Sequence, residues 1–332
     1  MDFDRLRDLA AGFQPAKLLL VALDLGVFEA LADGPLAASE LAARIGADPR
    51  ATEICANALV GMGLLTHGER GYGLAASAAR WLVRTSPEYR GEILRHIHNT
   101  WERWAGLETT WREGRPAFRR EASSPNDEDE TARRHFILGM ENVTREVAPR
   151  IAELLPLDGA RSLLDLGAGP GNYCLAFAAR WPGLRVFHFD LPGVSRIARE
   201  FVAGKPGADR ITFLEGSFLE DPLGGPYDVV WASQIIHMLG EDEVRRLLAR
   251  IGEALAPGGL LAIHDHFLDP GRTGPPFAAL FGVHMLVSTE RGRTYALDEV
   301  EAWGRETGFA PDGRIEYGRG PRILLLRRRS AS

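Results

Sequence analysis

The densest chemical signal in this 332-residue chain is Asp165-Leu166-Gly167-Ala168-Gly169-Pro170-Gly171. Glycines at this spacing permit a tight turn and let the backbone approach a ligand closely, and a helix opening behind them offers free N–H groups. Asp190 stands 19 residues after Gly171, at the end of the run Arg185-Val186-Phe187-His188-Phe189-Asp190. A carboxylate placed there can accept hydrogen bonds from both ribose hydroxyls of an adenosine. A dinucleotide fingerprint reads G-x-G-x-x-G, whereas here the third glycine comes one residue early and an acid, Asp165, sits two residues before the first. That carboxylate would repel a pyrophosphate and suits a cationic amino-acid moiety, which favours S-adenosylmethionine over NAD.

The elements that must position these residues follow from pattern. Ser162–Leu166, Arg185–Asp190, Ile211–Leu214, Tyr227–Ala232 and Leu260–Asp265 are short apolar runs separated by helical sequence. Strands alternating with helices specify a parallel, doubly wound sheet. Ahead of it, Phe13 to about Arg95 shows helical spacing in three blocks, Ala16–Leu31, Ala38–Ile45 and Pro49–Met62, then two short strand-like segments at Gly63–Thr66 and Gly71–Leu74. Three helices and a two-stranded wing make a winged-helix pattern. Ser39 is a plausible helix start, and Asp48-Pro49 places a capping acid before a proline in the first turn. The segment Pro49–Met62 carries Arg50, Glu53 and Asn57 on an otherwise apolar sequence, too little basic for a major groove, so helix–helix dimerisation is the favoured use. A long helix is expected from Thr131 towards Leu155, after a surface loop at Ala122–Asp129. The domains expected are 1–125 and 126–332.

Composition agrees with an ordinary soluble globular chain: 45% hydrophobic and 25% charged, with 45 Asp plus Glu against 39 Lys plus Arg, a formal charge of −6. The acidic balance argues against nucleic acid as a partner. The basic run Arg327-Arg328-Arg329 reads as a solubilising tail. Cys55 and Cys174 lie far apart and show no metal-ligand spacing, so a reducing cytoplasm is the default. The amino-terminal residues do not read as a secretory signal, and no membrane-spanning segment is expected.

With the glycine loop, Phe189-Asp190-Leu191-Pro192, Tyr227-Asp228-Val229-Val230, Ala256-Pro257-Gly258-Gly259, Met285-Leu286-Val287, Gly292-Arg293-Thr294-Tyr295 and Thr307-Gly308-Phe309, the chain resembles the plant-type small-molecule O-methyltransferases that use S-adenosylmethionine, in their bacterial branch. The resemblance implies an α/β fold: a Rossmann-like doubly wound methyltransferase domain behind a winged-helix dimerisation domain. It also implies a homodimer, a small-molecule acceptor and a cytoplasmic role in secondary metabolism. On the cofactor it implies Asp165, Gly167, Gly169, Gly171, Asp190, Leu191, Ser217 and Phe218. Its general base matches His237, in Ile236-His237-Met238-Leu239, whose imidazole suits deprotonation of a phenolic or enolic hydroxyl. Asp265 matches the acid that orients this histidine and Glu290 a second acid. Met140, Met238, His284 and Met285 are expected to line the acceptor pocket, and no metal is required.

Two positions depart from the pattern. Met238 replaces the acid that usually follows the histidine, and Ser217 replaces the acid that usually touches the adenine. A rival reading gathers His237, His266 and His284 around iron or zinc for C-methylation of a 2-oxo acid. Against it, His264 and His266 flank a strand end, so only one of them need face the pocket. An aromatic stretch, Trp101, Trp104 and Trp111 with His96, His98 and Phe118, could roof the acceptor or simply pack. Arg103, Arg112 and Arg115 could meet a substrate carboxylate, with solvated surface the favoured reading for each.

Overall fold

The computed structural model describes residues 1–117, 130–318 and 320–330. Phe118, the Ala122–Asp129 loop and the expected boundary between 125 and 126 lie outside the described residues. The chain divides into two compact units, Met1–Asn99 and Thr100–Ser332. Among the described residues no helix is long and apolar enough to cross a membrane.

In the first unit the helices Phe13–Asp24, Val27–Ala30, Ala38–Ile45 and Pro49–Gly61 precede an antiparallel hairpin of β1 (Leu65–Gly68) and β2 (Gly71–Leu74). Phe28, Leu31, Leu41, Leu59, Leu65 and Tyr72 form its core. The expected Ala16–Leu31 block is broken at Leu25-Gly26, where Gly26 takes a left-handed φ of 77° that continues no helix. Ser39 is not the cap of its helix; Glu40 reaches back instead, its carboxylate accepting the Ala37 N–H at 2.8 Å. Asp48 caps as expected, accepting the Ala51 N–H at 2.8 Å with Pro49 in the first turn.

The second unit is built on seven strands: β3 (Ser162–Leu166), β4 (Arg185–Asp190), β5 (Ile211–Glu215), β6 (Tyr227–Ser233), β7 (Leu255–Asp265), β8 (Phe309–Glu316) and β9 (Arg322–Arg328), in the order β5-β4-β3-β6-β7-β9-β8. The first five are parallel, and β9 runs antiparallel to both β7 and β8. Side chains alternate between two buried layers. Leu164, Val230, Leu261 and Leu324 face the helices Glu241–Ala254 and Leu297–Glu306, whereas Leu163, Trp231, Leu260 and Ile323 face Val147–Leu154 and Asn172–Arg180. Burial on both faces is why these strands read as nearly unbroken apolar runs. The strand order reverses between β3 and β6, and the crevice beyond their carboxyl ends is where such sheets take ligands.

Two expectations fail for identifiable reasons. The long helix is two helices, Glu130–Thr144 and Val147–Leu154. Pro149 has no N–H to give, and in a continuous helix its ring would strike the carbonyl of Arg145. The basic run is no tail: Arg327 and Arg328 belong to β9, with Arg327 paired to Asp312 and Arg328 donating to the Leu255 carbonyl. Replacing the Asp48 cap, Asp48→Ala, should lower stability by about 1 kcal/mol in urea denaturation while leaving S-adenosylhomocysteine affinity unchanged.

Candidate active site

The loop after β3 is held at one peptide. The Gly169 N–H donates to Asp190 Oδ2 at 2.8 Å, and the Gly169 carbonyl accepts from His188 Nε2 at 3.0 Å. The other Asp190 oxygen accepts from the Leu191 N–H at 2.8 Å. His188 is fully buried, and burial pushes its pKa down to about 4, so it serves as a neutral donor. Gly167 has φ 69°, and a Cβ there would lie 2.6 Å from the Ile235 side chain, so no other residue fits. At Gly169, φ 55°, a Cβ would meet nothing within 4 Å, which leaves open space beside the loop. Behind it, Asn172 bonds to Thr144 Oγ1 and the Glu141 carbonyl, tying the end of the Met140-bearing helix to the loop.

Two carboxyls next to this space are buried. Burial raises Asp165 to about 7, against a hydrogen bond from the Cys174 thiol at 3.1 Å and with the charge of Asp190 adding to it. Burial likewise raises Asp190 to about 6, against the Gly169 and Leu191 N–H groups. Phe218 lies against Gly167 and the apolar core. The segment carrying Ser217 and Phe218 is anchored by the Gly216 N–H on the Asp190 carbonyl, the Ser217 N–H on Asp221 Oδ2, and Arg250 Nε on the Phe218 carbonyl. Asp221 thus brings an acid to the turn where Ser217 stands in place of one.

Across the crevice, after β6, Gln234 has φ 58°, a left-handed conformation costly for a side-chain-bearing residue, and its amide Nε2 is buried without a partner among the described residues. His237 follows on the 3-10 turn Ile236–Met238. Its Nδ1 donates to Asp265 Oδ1 at 2.8 Å, and both side chains are buried. Asp265 also accepts the His266 N–H at 2.7 Å. Burial would raise this acid, but His237 and the His266 N–H outweigh it and hold Asp265 below the usual carboxylate range.

Phe281 stands among the three histidines of the rival reading, with ring centroids 4.9 Å from His237, 4.6 Å from His266 and 5.7 Å from His284. Among the described residues no group of three or more His, Cys, Asp or Glu side chains is placed to hold a metal ion, so that reading has no donor set. His264 turns to the opposite side, between Ser233 Oγ at 2.8 Å and the Tyr317 hydroxyl, with its ring stacked on Trp231. Met238 is half-buried against the core and Met285 is buried. Glu290 is exposed and stays outside the His237–Asp265 pair. Trp104 reaches the site, donating to His284, but Trp111 is 78% exposed and His96 and His98 belong to the first unit. Arg103 corrects its expectation: it is only 8% exposed, a guanidinium close enough to act on His284. Arg112 and Arg115 are exposed and paired with Glu108 and Glu113. His188, Phe281, Gln234 and Arg250 carried no sequence signal beyond, for His188, standing two residues before the strand-end acid.

The raised acids make a signed prediction. Asp165 has a higher pKa folded than unfolded, so its stabilising contribution is complete below 3.8 and is lost as pH rises through about 7. His188, His264, His266 and His284, all pushed down to about 4 chiefly by burial, act oppositely: their contribution is present above 6.5 and lost as pH falls. Asp165→Asn removes only the first effect. Its stability relative to the wild type should therefore improve steadily from pH 5 to pH 8 in urea denaturation, and a constant difference would show that Asp165 does not titrate there.

Residues 104–310 match the O-methyltransferase domain, and residues 7–85 match the O-methyltransferase dimerisation domain. The chain is 32% identical over 314 residues to a 3-hydroxy-5-methyl-1-naphthoate 3-O-methyltransferase of Streptomyces sahachiroi, covering 94% of this chain and 91% of that one. It is 33% identical over 275 residues to the N,N-dimethyltransferase OxyT of Streptomyces rimosus, covering 81% and 79%. The structure of human N-acetylserotonin methyltransferase in complex with S-adenosylmethionine superposes with a TM-score of 0.87 at 26% identity over 99% of both chains. The chain therefore belongs to the plant-type O-methyltransferase family and is an S-adenosylmethionine-dependent methyltransferase acting on a small molecule.

Proposed function

We propose that this enzyme methylates a hydroxyl on a small aromatic acceptor, with His237 as general base. The observation that carries the proposal is the buried 2.8 Å hydrogen bond from His237 Nδ1 to Asp265. With its hydrogen committed to Nδ1, the neutral imidazole presents a bare Nε2 lone pair, the form a base must take. Asp265, kept ionised, then stabilises the imidazolium that forms when Nε2 takes the acceptor's proton. Met140, Met238, His284 and Met285 are the residues assigned to the acceptor, and Glu290 is assigned as the second catalytic acid. That the Streptomyces sahachiroi relative is named for a hydroxynaphthoate supports a hydroxylated aromatic ring as the acceptor class.

When bound, S-adenosylmethionine supplies a methyl group activated by a sulfonium centre. The residues fit that group: the glycine loop leaves a cradle at Gly169, Gln234 offers a buried donor without a partner, and Asp165 and Asp190 are carboxyls whose charged forms a nearby cation would favour. Gly167 and Gly171 shape the loop, Asp190 and Leu191 are assigned to the ribose, and Ser217 and Phe218 are assigned to the adenine. The chain's own contribution is to hold the acceptor in line and to remove its proton.

The homodimer and a cytoplasmic site of action belong to the same proposal. The match to a dimerisation domain is supported by apolar side chains left in water on the first unit, among them Phe3 at 77%, Leu9 at 71% and Phe13 at 57% exposed. A chain lacking residues 1–13 should sediment as a smaller species than the full-length protein.

His237→Ala should lower kcat for a hydroxylated aromatic acceptor by about 10²–10⁴-fold, while S-adenosylhomocysteine affinity measured by calorimetry changes less than about twofold. Asp265→Asn should fall in the same direction with intact cofactor binding, because the amide can no longer stabilise the imidazolium. Undiminished turnover in His237→Ala would overturn the assignment of the base.

A further inference from the structure

Trp104 lies on the short helix Trp101–Ala105 and His284 on the helix Pro276–Ser288. The indole Nε1–H, which can only donate, points at His284 Nδ1 across 3.2 Å. A donor facing Nδ1 requires that nitrogen to be bare, so the neutral imidazole must carry its hydrogen on Nε2. The two rings are also stacked, 19° from parallel with centroids 6.2 Å apart, which fixes the plane of the imidazole as well as its tautomer. Protonation offers no escape: burial first, then the neighbouring charges of Arg103 and His237, push His284 down to about 4. No described residue accepts the Nε2–H. His284 also packs against Phe281, with ring centroids 5.7 Å apart, and the same phenyl ring lies 4.9 Å from His237.

One flat ring therefore touches two imidazoles of opposite character. His237 presents a bare nitrogen that takes a proton, and His284 presents an N–H that gives a hydrogen bond. We propose that Trp104 is a positioning residue that locks His284 as an Nε2–H donor, and that this donor selects acceptors bearing a carbonyl-type oxygen on the same planar ring system as the hydroxyl to be methylated. An acceptor laid along Phe281 then satisfies both groups, whereas a ring without the second oxygen leaves the His284 N–H desolvated and unpaired, a penalty a binding site converts into discrimination. The inference rests on the hydroxyl-methylating reading above and adds to it a second recognition point and its support.

The test compares three acceptors, 2-naphthol, 6-acetyl-2-naphthol and 6-hydroxy-2-naphthoate, in the wild type, Trp104→Phe, His284→Phe and His284→Gln, together with nitrogen-15 spectra of the histidines in the protein bound to S-adenosylhomocysteine. Trp104→Phe keeps an aromatic ring and removes only the N–H. The expected result is a roughly tenfold loss of kcat/KM on the two oxygen-bearing acceptors in Trp104→Phe and His284→Phe, with 2-naphthol changed less than about twofold in Trp104→Phe and partial recovery in His284→Gln, whose amide can donate. In the spectra, His284 should show a single Nε2–H tautomer in the wild type and a mixture in Trp104→Phe. Equal losses on all three acceptors, or a His284 that is charged or Nδ1-protonated at pH 7, would overturn the proposal. Absence of transfer to every acceptor, with the tautomer locked in the wild type and released in Trp104→Phe, would count against a hydroxyl as the methylated group and for the Trp104–His284 arrangement.

Discussion

The peptide of Gly169 is the point on which the cofactor side of this structure depends. Its N–H and its carbonyl are both taken by side chains of the adjacent strand, Asp190 and His188. The parallel register pairs Asp165 with His188 and Leu166 with Phe189, so His188 and Asp190, two residues apart, share one face of the strand and reach the loop together. Letting go of Gly169 would deprive a part-buried N–H, a part-buried carbonyl, an imidazole nitrogen and one carboxyl oxygen of their partners at once. The loop can therefore carry glycine at every second position and still be held in one shape.

The same constraint sets the electrostatics. Asp165 and Asp265 are both sealed from water, yet their pKa values move in opposite directions. Asp165 has a thiol for a partner, a weak donor, and feels the charge of Asp190; burial wins and the proton stays longer. Asp265 has an imidazole N–H and a backbone N–H, and they win over burial. The crevice thus carries protonatable acids on the side suited to a cation and a fixed anion behind the base. Around them stand neutral imidazoles, His188, His266 and His284, each kept uncharged chiefly by burial.

Much of this was legible in the sequence. The glycine loop, Asp190, the five parallel strands and the Asp48 cap all appear where local pattern put them, because turn chemistry, side-chain alternation and capping act over a few residues. The pairing of His237 with Asp265 was anticipated from the resemblance and is present. The failures have two causes. Pro149 acts on a carbonyl four residues back, a local constraint that apolar periodicity does not carry. Arg327 and Arg328 read as a tail because their partners, Asp312 and the carbonyls of Gly258 and Leu255, come from other strands of the sheet. Arg103 read as surface because nothing near it in sequence shows that it is buried.

By itself, then, the sequence determined the order of the elements, the turn that can approach a cofactor and the chemical types available to act on it. It did so because each of these depends on spacing within one turn, one strand or one helix. Only the tertiary structure decided which nitrogen of which histidine is free. His237 is oriented by a residue 28 positions away and His284 by one 180 positions away. Phe281 packs against all three imidazoles that composition alone would have allowed to share a metal, and among the described residues they form no metal-holding group. Tautomer, burial and contact are properties of packing between distant segments, and no local pattern encodes them.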